Sequence, residues 1–269
     1  MAAAVFDGKV FVAGGLLGDA NRSATARVEA YDPATNRWSA EPSLPIGLHH
    51  PMAATFRGKL YVLGGITQRL GGPDSARVFV FDGKRWSEGP SLKRPRGAGA
   101  AVVVHDRLIV AGGIDGSVEV GPPEIFDGTR WRDGAGMPSP LDHIGAATDG
   151  RYVFVAGGRR NGQHFGTLQR YDPASDTWTI LRPMPERRSG LGVAFDAGRV
   201  IAAGGEGARI FPETESFNPA SGRWTRLRNM NVPRHGIGMV SIDKTIYAML
   251  GGAAVGVDPS STCEYLILH

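Results

Sequence analysis

Six glycine pairs recur through the chain at nearly equal intervals, and this spacing constrains the fold more than any other feature. Successive pairs lie 50, 48, 45, 47 and 47 residues apart, at Gly14-Gly15, Gly64-Gly65, Gly112-Gly113, Gly157-Gly158, Gly204-Gly205 and Gly251-Gly252. A period of this length, kept over 269 residues, is typical of an array of one repeated unit. We therefore expect a single domain over residues 1–269.

Each of the first five units contains the same four segments in the same order. A Gly- and Ala-rich stretch and a strongly β-forming run precede the glycine pair, a third segment ends in an aromatic residue and Asp or Asn, and a fourth begins with tryptophan. All five tryptophans stand at this last position: Trp38, Trp86, Trp131, Trp178 and Trp224. Four short strands without helical periodicity predict a four-stranded propeller blade. We expect the paired glycines to adopt positive φ or to admit a neighbouring blade, and the aromatic columns to stack between blades.

The order of these motifs resembles the kelch-repeat β-propeller family. The glycine pair, Tyr/Phe-Asp and Trp are followed by Leu-Pro or Met-Pro, as in Leu44-Pro45, Met137-Pro138 and Met184-Pro185. The resemblance covers essentially the whole chain and implies an all-β, six-bladed kelch propeller of the galactose oxidase/kelch type. The expected blades are approximately residues 1–45, 46–94, 95–139, 140–186, 187–232 and 233–269.

The sixth unit is shorter than the others. Its third strand, Glu264–Leu268, is followed by neither the aromatic-acid turn nor the tryptophan strand. We therefore expect 23 strands, with the outer strand of the last blade missing and a sheet edge exposed. Two interpretations stay open. Either the gene product starts before Met1 and supplies this strand, or the propeller tolerates an open last blade.

Composition excludes several classes of partner and site. The formal charge is only +4 with no long Lys/Arg run, which argues against nucleic acid. No apolar run approaches the roughly 18 residues of a membrane span. Cys263 is the only cysteine, so a disulfide within the chain is impossible and a galactose-oxidase-type copper site is not expected. The segment Met1–Phe6 lacks the basic head of a signal peptide. The sequence leaves the compartment open: we expect a cytoplasmic protein for the sequence as given, and an exported one if a signal peptide precedes Met1.

Polar residues collect before the first strand of each unit and after the glycine pairs. Because strands in a blade alternate in direction, both sets lie on one face of the propeller, around its central mouth. The candidate ligand-binding residues are His49, His50, Arg96, His143, Arg159, Arg188, Arg209, Arg234 and His235, with Asp142, Arg160, Asn161 and His164 close by. Guanidinium and imidazole groups suit an anionic or hydroxyl-rich ligand. Alternatively, an Arg or His before a first strand only bonds backbone carbonyls of the adjacent blade.

The resemblance implies a binding module. Kelch modules of ubiquitin-ligase adaptors use arginines at positions resembling Arg188 and Arg234 to grip acidic peptides. We predict a non-enzymatic kelch-repeat interaction module whose His/Arg-lined mouth takes an acidic or sugar-like ligand or an acidic peptide. We expect no cofactor and no metal, because His49, His143 and His235 come from different units without a metal-binding spacing.

The alternative function is that of a carbohydrate-active enzyme resembling the sialic acid mutarotases. In that family a Gly-Glu at a corresponding strand end supplies the proton acceptor, a role that would fall to Glu206. Arg209 or Arg188 would hold a carboxylate, and His143 or His235 would assist proton transfer. The family's run after the glutamate is not reproduced by residues 207–212.

Overall fold

The fold is built from 23 strands of three to five residues and six strands of two residues, connected by turns and loops. The computed structural model describes residues 1–254 and 258–268. In chain order the strands are β1 (Ala2–Phe6), β2 (Lys9–Ala13), β3 (Val28–Asp32), β4 (Arg37–Glu41), β5 (Leu48–His49), β6 (Met52–Phe56), β7 (Lys59–Leu63), β8 (Ile66–Thr67), β9 (Val78–Phe81), β10 (Trp86–Glu88), β11 (Ala100–Val104), β12 (Arg107–Ala111), β13 (Ile114–Asp115), β14 (Val118–Glu119), β15 (Glu124–Phe126), β16 (Trp131–Asp133), β17 (Gly145–Thr148), β18 (Val153–Ala156), β19 (Arg159–Arg160), β20 (Gln163–His164), β21 (Leu168–Asp172), β22 (Thr177–Leu181), β23 (Gly192–Asp196), β24 (Arg199–Ala203), β25 (Thr214–Asn218), β26 (Arg223–Arg226), β27 (Gly238–Ile242), β28 (Thr245–Met249) and β29 (Cys263–Ile267).

The longer strands form six antiparallel sheets, which are the blades of a propeller. From the axis outwards the sheets are β1-β2-β3-β4, β6-β7-β9-β10, β11-β12-β15-β16, β17-β18-β21-β22, β23-β24-β25-β26 and β27-β28-β29. The two-residue strands pair in loops, β5 with β8, β13 with β14 and β19 with β20. The predicted all-β, six-bladed fold is confirmed, including the last blade with three strands. No helix in the described residues could cross a membrane.

Crowding around the axis explains the small residues of the innermost strands. A Cβ built on Gly192 in β23 would lie 2.7 Å from the Cβ of Met239 in the next blade, closer than real Cβ contacts come. The glycine pairs are constrained twice, as Gly204 shows. It has a φ of +63°, and an added Cβ would meet the carbonyl oxygen of Arg234 at 2.5 Å. Both expected reasons for the pairs therefore apply.

The aromatic columns are arranged differently from the expectation that they stack between blades. Phe81 and Trp86 face each other across two strands of one blade, with ring centroids 5.0 Å apart, and the other blades with a tryptophan repeat this pair. The expectation that the aromatic columns stack between blades is therefore wrong for the tryptophans. The indole N–H reaches the neighbouring blade instead, where Trp86 Nε1 donates to the carbonyl of Pro42 at 2.6 Å.

A belt of four backbone hydrogen bonds links blades two to six just before their innermost strands. In blades three to six the N–H donates to the carbonyl of the corresponding residue one blade earlier, at 2.7–2.9 Å. The members of this axial belt, all with positive φ, are His50, Ala98, His143, Gly190 and Gly236. The belt fixes the backbone at the central mouth, and so it fixes the starting point of every side chain there.

Candidate ligand-binding site

A three-residue segment leads into the innermost strand of blades two to six, and its positions have different surroundings. The first residue is buried, the second lies opposite the loop that follows the glycine pair, and the third belongs to the axial belt. The segments are Leu48-His49-His50, Arg96-Gly97-Ala98, Leu141-Asp142-His143, Arg188-Ser189-Gly190 and Arg234-His235-Gly236. Only the second and third positions can therefore contribute to the mouth.

Three candidate arginines occupy the buried first position, where blades two and four have Leu48 and Leu141. Each guanidinium is fully buried and pairs with a glutamate of the third strand of its own blade. The pairs are Arg96–Glu124 at 2.7 Å, Arg188–Glu215 at 3.0 Å and Arg234–Glu264 at 2.7 Å. The expectation that these arginines line the mouth is corrected accordingly. The three arginines also donate to backbone carbonyls, as the alternative interpretation expected. These carbonyls belong to the arginine's own blade and not to the adjacent one.

Five side chains from blades four, five and six form one continuous polar network at the mouth. Arg159 is its centre and donates to Glu206 Oε1 at 3.0 Å and to Asp142 Oδ1 at 3.2 Å. Its Nη2 also donates to His143 Nε2 at 3.0 Å. Asp142 accepts from His143 Nδ1, and Glu206 Oε2 lies 3.4 Å from His235 Nδ1. We call these residues, together with His50, the axial mouth.

The hydrogen bonds define the protonation of His143. Its Nδ1–H donates to Asp142 while its Nε2 accepts from Arg159, so the ring carries one proton and no charge. Burial lowers the pKa of His143, and the Asp142 carboxylate opposes that shift only in part. The ring is therefore a neutral, fixed dipole near pH 7.

His50 adds a second imidazole to the mouth. Its ring centroid lies 4.7 Å from that of His143. His49 is fully buried next to His50, and the Nδ1 atoms of the two rings are 2.6 Å apart. His49 Nε2 donates to the carbonyl of Arg69 at 2.9 Å, which fixes the His49 ring. Burial lowers the pKa of His50 well below its ordinary value. His49 thus positions His50 and does not itself reach the opening.

The axial mouth is enclosed but accessible. The Arg159 side chain is 32% exposed, whereas Glu206 and His235 are 12% and 14% exposed. A cavity of about 180 Å³ continues from His50 and His143 down the axis between the innermost strands. A small ligand can therefore reach the polar network from one face of the propeller.

The two halves of the mouth differ in polarity. Arg159 and Glu206 each follow a glycine pair directly, and the same position holds Ile66 in blade two and Ile114 in blade three. Both isoleucines are half-buried. At this loop position the mouth therefore has a charged side, at Arg159 and Glu206, and an apolar side, at Ile66 and Ile114.

Arg209 lies outside this network. Its side chain is 52% exposed, bonds Glu213 at 2.5 Å and covers the ring of Phe211. Of the sequence candidates, the structure brings together His50, His143, Arg159, Glu206 and His235. His164, whose Nδ1 lies 3.0 Å from Ser189 Oγ, borders them. Sequence reasoning missed the three glutamates that pair with the buried arginines, although each stands two residues before a large apolar residue of its strand, Phe126, Phe217 or Leu266: Glu124, Glu215 and Glu264.

Sequence comparisons place most of the chain within known repeat models. Residues 53–252 match the model described as KLHDC2/KLHL20/DRC7 Kelch-repeats domain, and residues 1–45 match the Kelch motif. The chain is 29% identical over 228 residues to Kelch-like protein terF of Aspergillus terreus, covering 77% of this chain and 50% of that protein. It is 29% identical over 198 residues to Kelch-like protein 34 of Homo sapiens, covering 70% and 30%. The chain therefore spans half or less of these relatives.

Among solved structures, that of YjhT superposes over 99% of this chain and 94% of its own, with a TM-score of 0.85. The two sequences are 14% identical, so the comparison shows a shared fold alone.

Proposed function

The chain belongs to the kelch-repeat family, and on this premise we propose that it is a non-enzymatic binding module whose axial mouth takes a small sugar-like ligand. The observation that carries the proposal is the backbone of His50 and His143, which both have a φ of 51°. Blades five and six have glycine at this position, and a side chain in the left-handed region costs about 1–2 kcal/mol. The fold does not require histidine there, and strained residues of this kind cluster at ligand sites.

The charge balance favours hydroxyl groups over a strong anion. The three buried arginines do not contribute to the mouth, and Arg159 is already matched by Asp142 and Glu206. The network offers donors and acceptors side by side, which suits hydroxyl groups. The apolar side at Ile66 and Ile114 suits the C–H face of a sugar ring. An acidic peptide comes second, because it would have to compete with two carboxylates for one guanidinium.

Saturation-transfer NMR with a panel of neutral and acidic monosaccharides tests this proposal. At least one sugar is expected to receive saturation from the wild-type protein. Arg159→Ala should weaken its binding about tenfold or more, because it removes the central donor of the network. Arg209→Ala is the matched control and should bind as the wild type does, since Arg209 lies outside the mouth. No response to any sugar, or equal loss in both variants, would contradict the proposal.

A second candidate is the carbohydrate-active enzyme, which the Glu206–His235 pair favours. A carboxylate that has accepted a proton from a substrate can pass that proton to an imidazole nitrogen 3.4 Å away, which restores the carboxylate. On this alternative Glu206→Gln abolishes interconversion of sialic acid anomers, followed by NMR. If the wild-type protein does not accelerate that interconversion, the enzymatic alternative fails and the binding proposal stands.

A further inference from the structure

The hydrogen bond of His235 leaves two acceptor atoms facing each other in the axial mouth. His235 Nε2 lies 3.0 Å from the backbone carbonyl of Ala254, and a carbonyl oxygen only accepts, so Nε2 carries the proton of the ring. An ordinary imidazole is mostly uncharged at pH 7, and Nδ1 therefore presents a lone pair. This nitrogen lies 3.4 Å from Glu206 Oε2, so the contact lacks a donor.

His50 presents a further lone pair at the axial cavity. Because His49 Nε2 donates to the carbonyl of Arg69, neutral His49 accepts at Nδ1, and His50 donates to it from its own Nδ1. Burial lowers the pKa of both imidazoles, which keeps them uncharged near pH 7. His50 Nε2 is therefore an acceptor, and within residues 1–254 and 258–268 no N–H or O–H donates to it.

Acceptors without a donor outnumber the unused donors of the axial mouth. Its imidazole N–H groups are all engaged within the protein. Arg159 uses three of its five N–H groups in the network and keeps two. In the part of the chain that the structure describes, the acceptor atoms without a hydrogen-bond donor are Asp142 Oδ2, Glu206 Oε2, His235 Nδ1 and His50 Nε2.

The charge of the axial mouth points in the same direction. Asp142 and Glu206 contribute two carboxylates, against the single guanidinium of Arg159. The Asp142 side chain is only 6% exposed, so water screens its charge little. An ammonium group brings a positive charge and three N–H donors, whereas a hydroxyl group brings one donor and no charge. An ammonium therefore suits the mouth better than a further hydroxyl group does.

We propose that the sugar taken by the axial mouth is an amino sugar, whose protonated amine donates to Glu206 Oε2 and His235 Nδ1. Its hydroxyl groups accept from Arg159 and donate to His50 Nε2. The ammonium supplies the proton that the two facing acceptors lack, and its charge balances the second carboxylate. This inference rests on the proposed function and names the class of sugar.

Three matched pairs of sugars test the inference: glucosamine with glucose, galactosamine with galactose, and mannosamine with mannose. Each sugar is titrated into the 269-residue protein at pH 7.0, where the amines are largely protonated, and binding is followed by NMR. At least one amino sugar should bind about tenfold or more tightly than its hydroxyl counterpart, because hydrogen bonds between charged groups are stronger than neutral ones.

A carboxylate-to-amide substitution locates the ammonium. Glu206→Gln should reduce the preference for the amino sugar to about threefold or less, because it removes the negative charge and keeps the shape of the side chain. Comparing the two sugars of a pair on the same variant cancels any general loss of affinity. Glu88→Gln on the outer strand β10 is the matched control and should keep the full preference, since Glu88 lies outside the mouth.

Nitrogen-15 NMR of His235 checks the missing proton, since Nδ1 should be unprotonated in the free protein at pH 7.0. The inference is overturned if the sugars of every pair bind equally, if the preference survives Glu206→Gln, or if Nδ1 already carries a proton. Nα-acetyl-lysine amide offers an ammonium without a sugar ring, and binding as tight as that of the best amino sugar would also overturn it. Equal binding within the pairs leaves the proposed function standing, whereas binding of no sugar overturns the proposed function and this inference together.

Discussion

At the residue scale, the axial belt contains two histidines at a position where other blades have glycine or alanine. Gly190 and Gly236 show that the belt closes without a side chain, and Ala98 shows that a small one is tolerated. His50 and His143 adopt the same left-handed backbone at the same position. Their imidazoles therefore add polar groups to the mouth at a cost in backbone strain.

Replacing residues of the belt with glycine tests whether the histidines serve the fold or a ligand. Ala98→Gly should raise the free energy of unfolding by up to about 1 kcal/mol, because it relieves a positive φ. His50→Gly should stay within about 1 kcal/mol of the wild type, since the relief offsets lost packing, yet it should weaken binding of the sugar. Urea unfolding and NMR titration measure the two effects. A sugar affinity unchanged in His50→Gly would contradict a role for His50 in binding.

Glu215 makes stability depend on pH in a predictable direction. Burial, followed by the influence of the neighbouring Glu186 carboxyl group, raises the pKa of Glu215 from 4.5 to about 7. Between these values the folded protein keeps a proton that the unfolded chain has released. The free energy of unfolding therefore falls as pH rises from about 4.5 to about 7, by at most about 1.4 kcal/mol per pH unit from this group.

The variant Glu215→Gln should flatten this part of the pH profile, because glutamine cannot lose a proton. Urea unfolding of the wild type and the variant at pH 5 and pH 7 gives the comparison. An identical change in stability between the two pH values in both proteins would show that Glu215 does not titrate in this range.

At the scale of the element, two alternative residue pairs occupy the same interior positions in four of the blades. Blades three, five and six use an Arg–Glu pair, whereas blade four has Leu141 and Gln169 at these positions. Gln169 still accepts the backbone N–H of Ser139 at 2.9 Å, as Glu124 accepts that of Lys93 in blade three. The two pairs are therefore interchangeable in principle, provided that both partners change together.

Converting blade three to the pattern of blade four tests this equivalence. Arg96→Leu alone should cost about 3–5 kcal/mol, because it leaves the Glu124 carboxylate buried without its partner. The double variant Arg96→Leu/Glu124→Gln should recover most of that loss. Urea unfolding measures both. A single variant as stable as the wild type, or a double variant no better than the single, would contradict a structural role for the pair.

At the scale of the whole molecule, the repeat was predictable and the direction of individual side chains was not. Glycine pairs recur in all six blades and tryptophans in the first five, because the blades turn and close against their neighbours in the same way. The position of Arg188 before a first strand did not reveal that its side chain points into the blade. Comparison with Leu48 and Leu141, which occupy the same register, carries that information. The contact between Arg159 and Glu206 crosses two blades and has no signature in local sequence.

The most direct test of the central claim is the shift in melting temperature caused by the sugar that gives the strongest NMR response. Ligand that binds only the folded state raises the melting temperature by mass action. The wild type and Arg209→Ala should show the same rise, and Arg159→Ala should show little or no rise above its own melting temperature without ligand. An equal rise in Arg159→Ala would show that the sugar binds elsewhere and would contradict the assignment of the axial mouth.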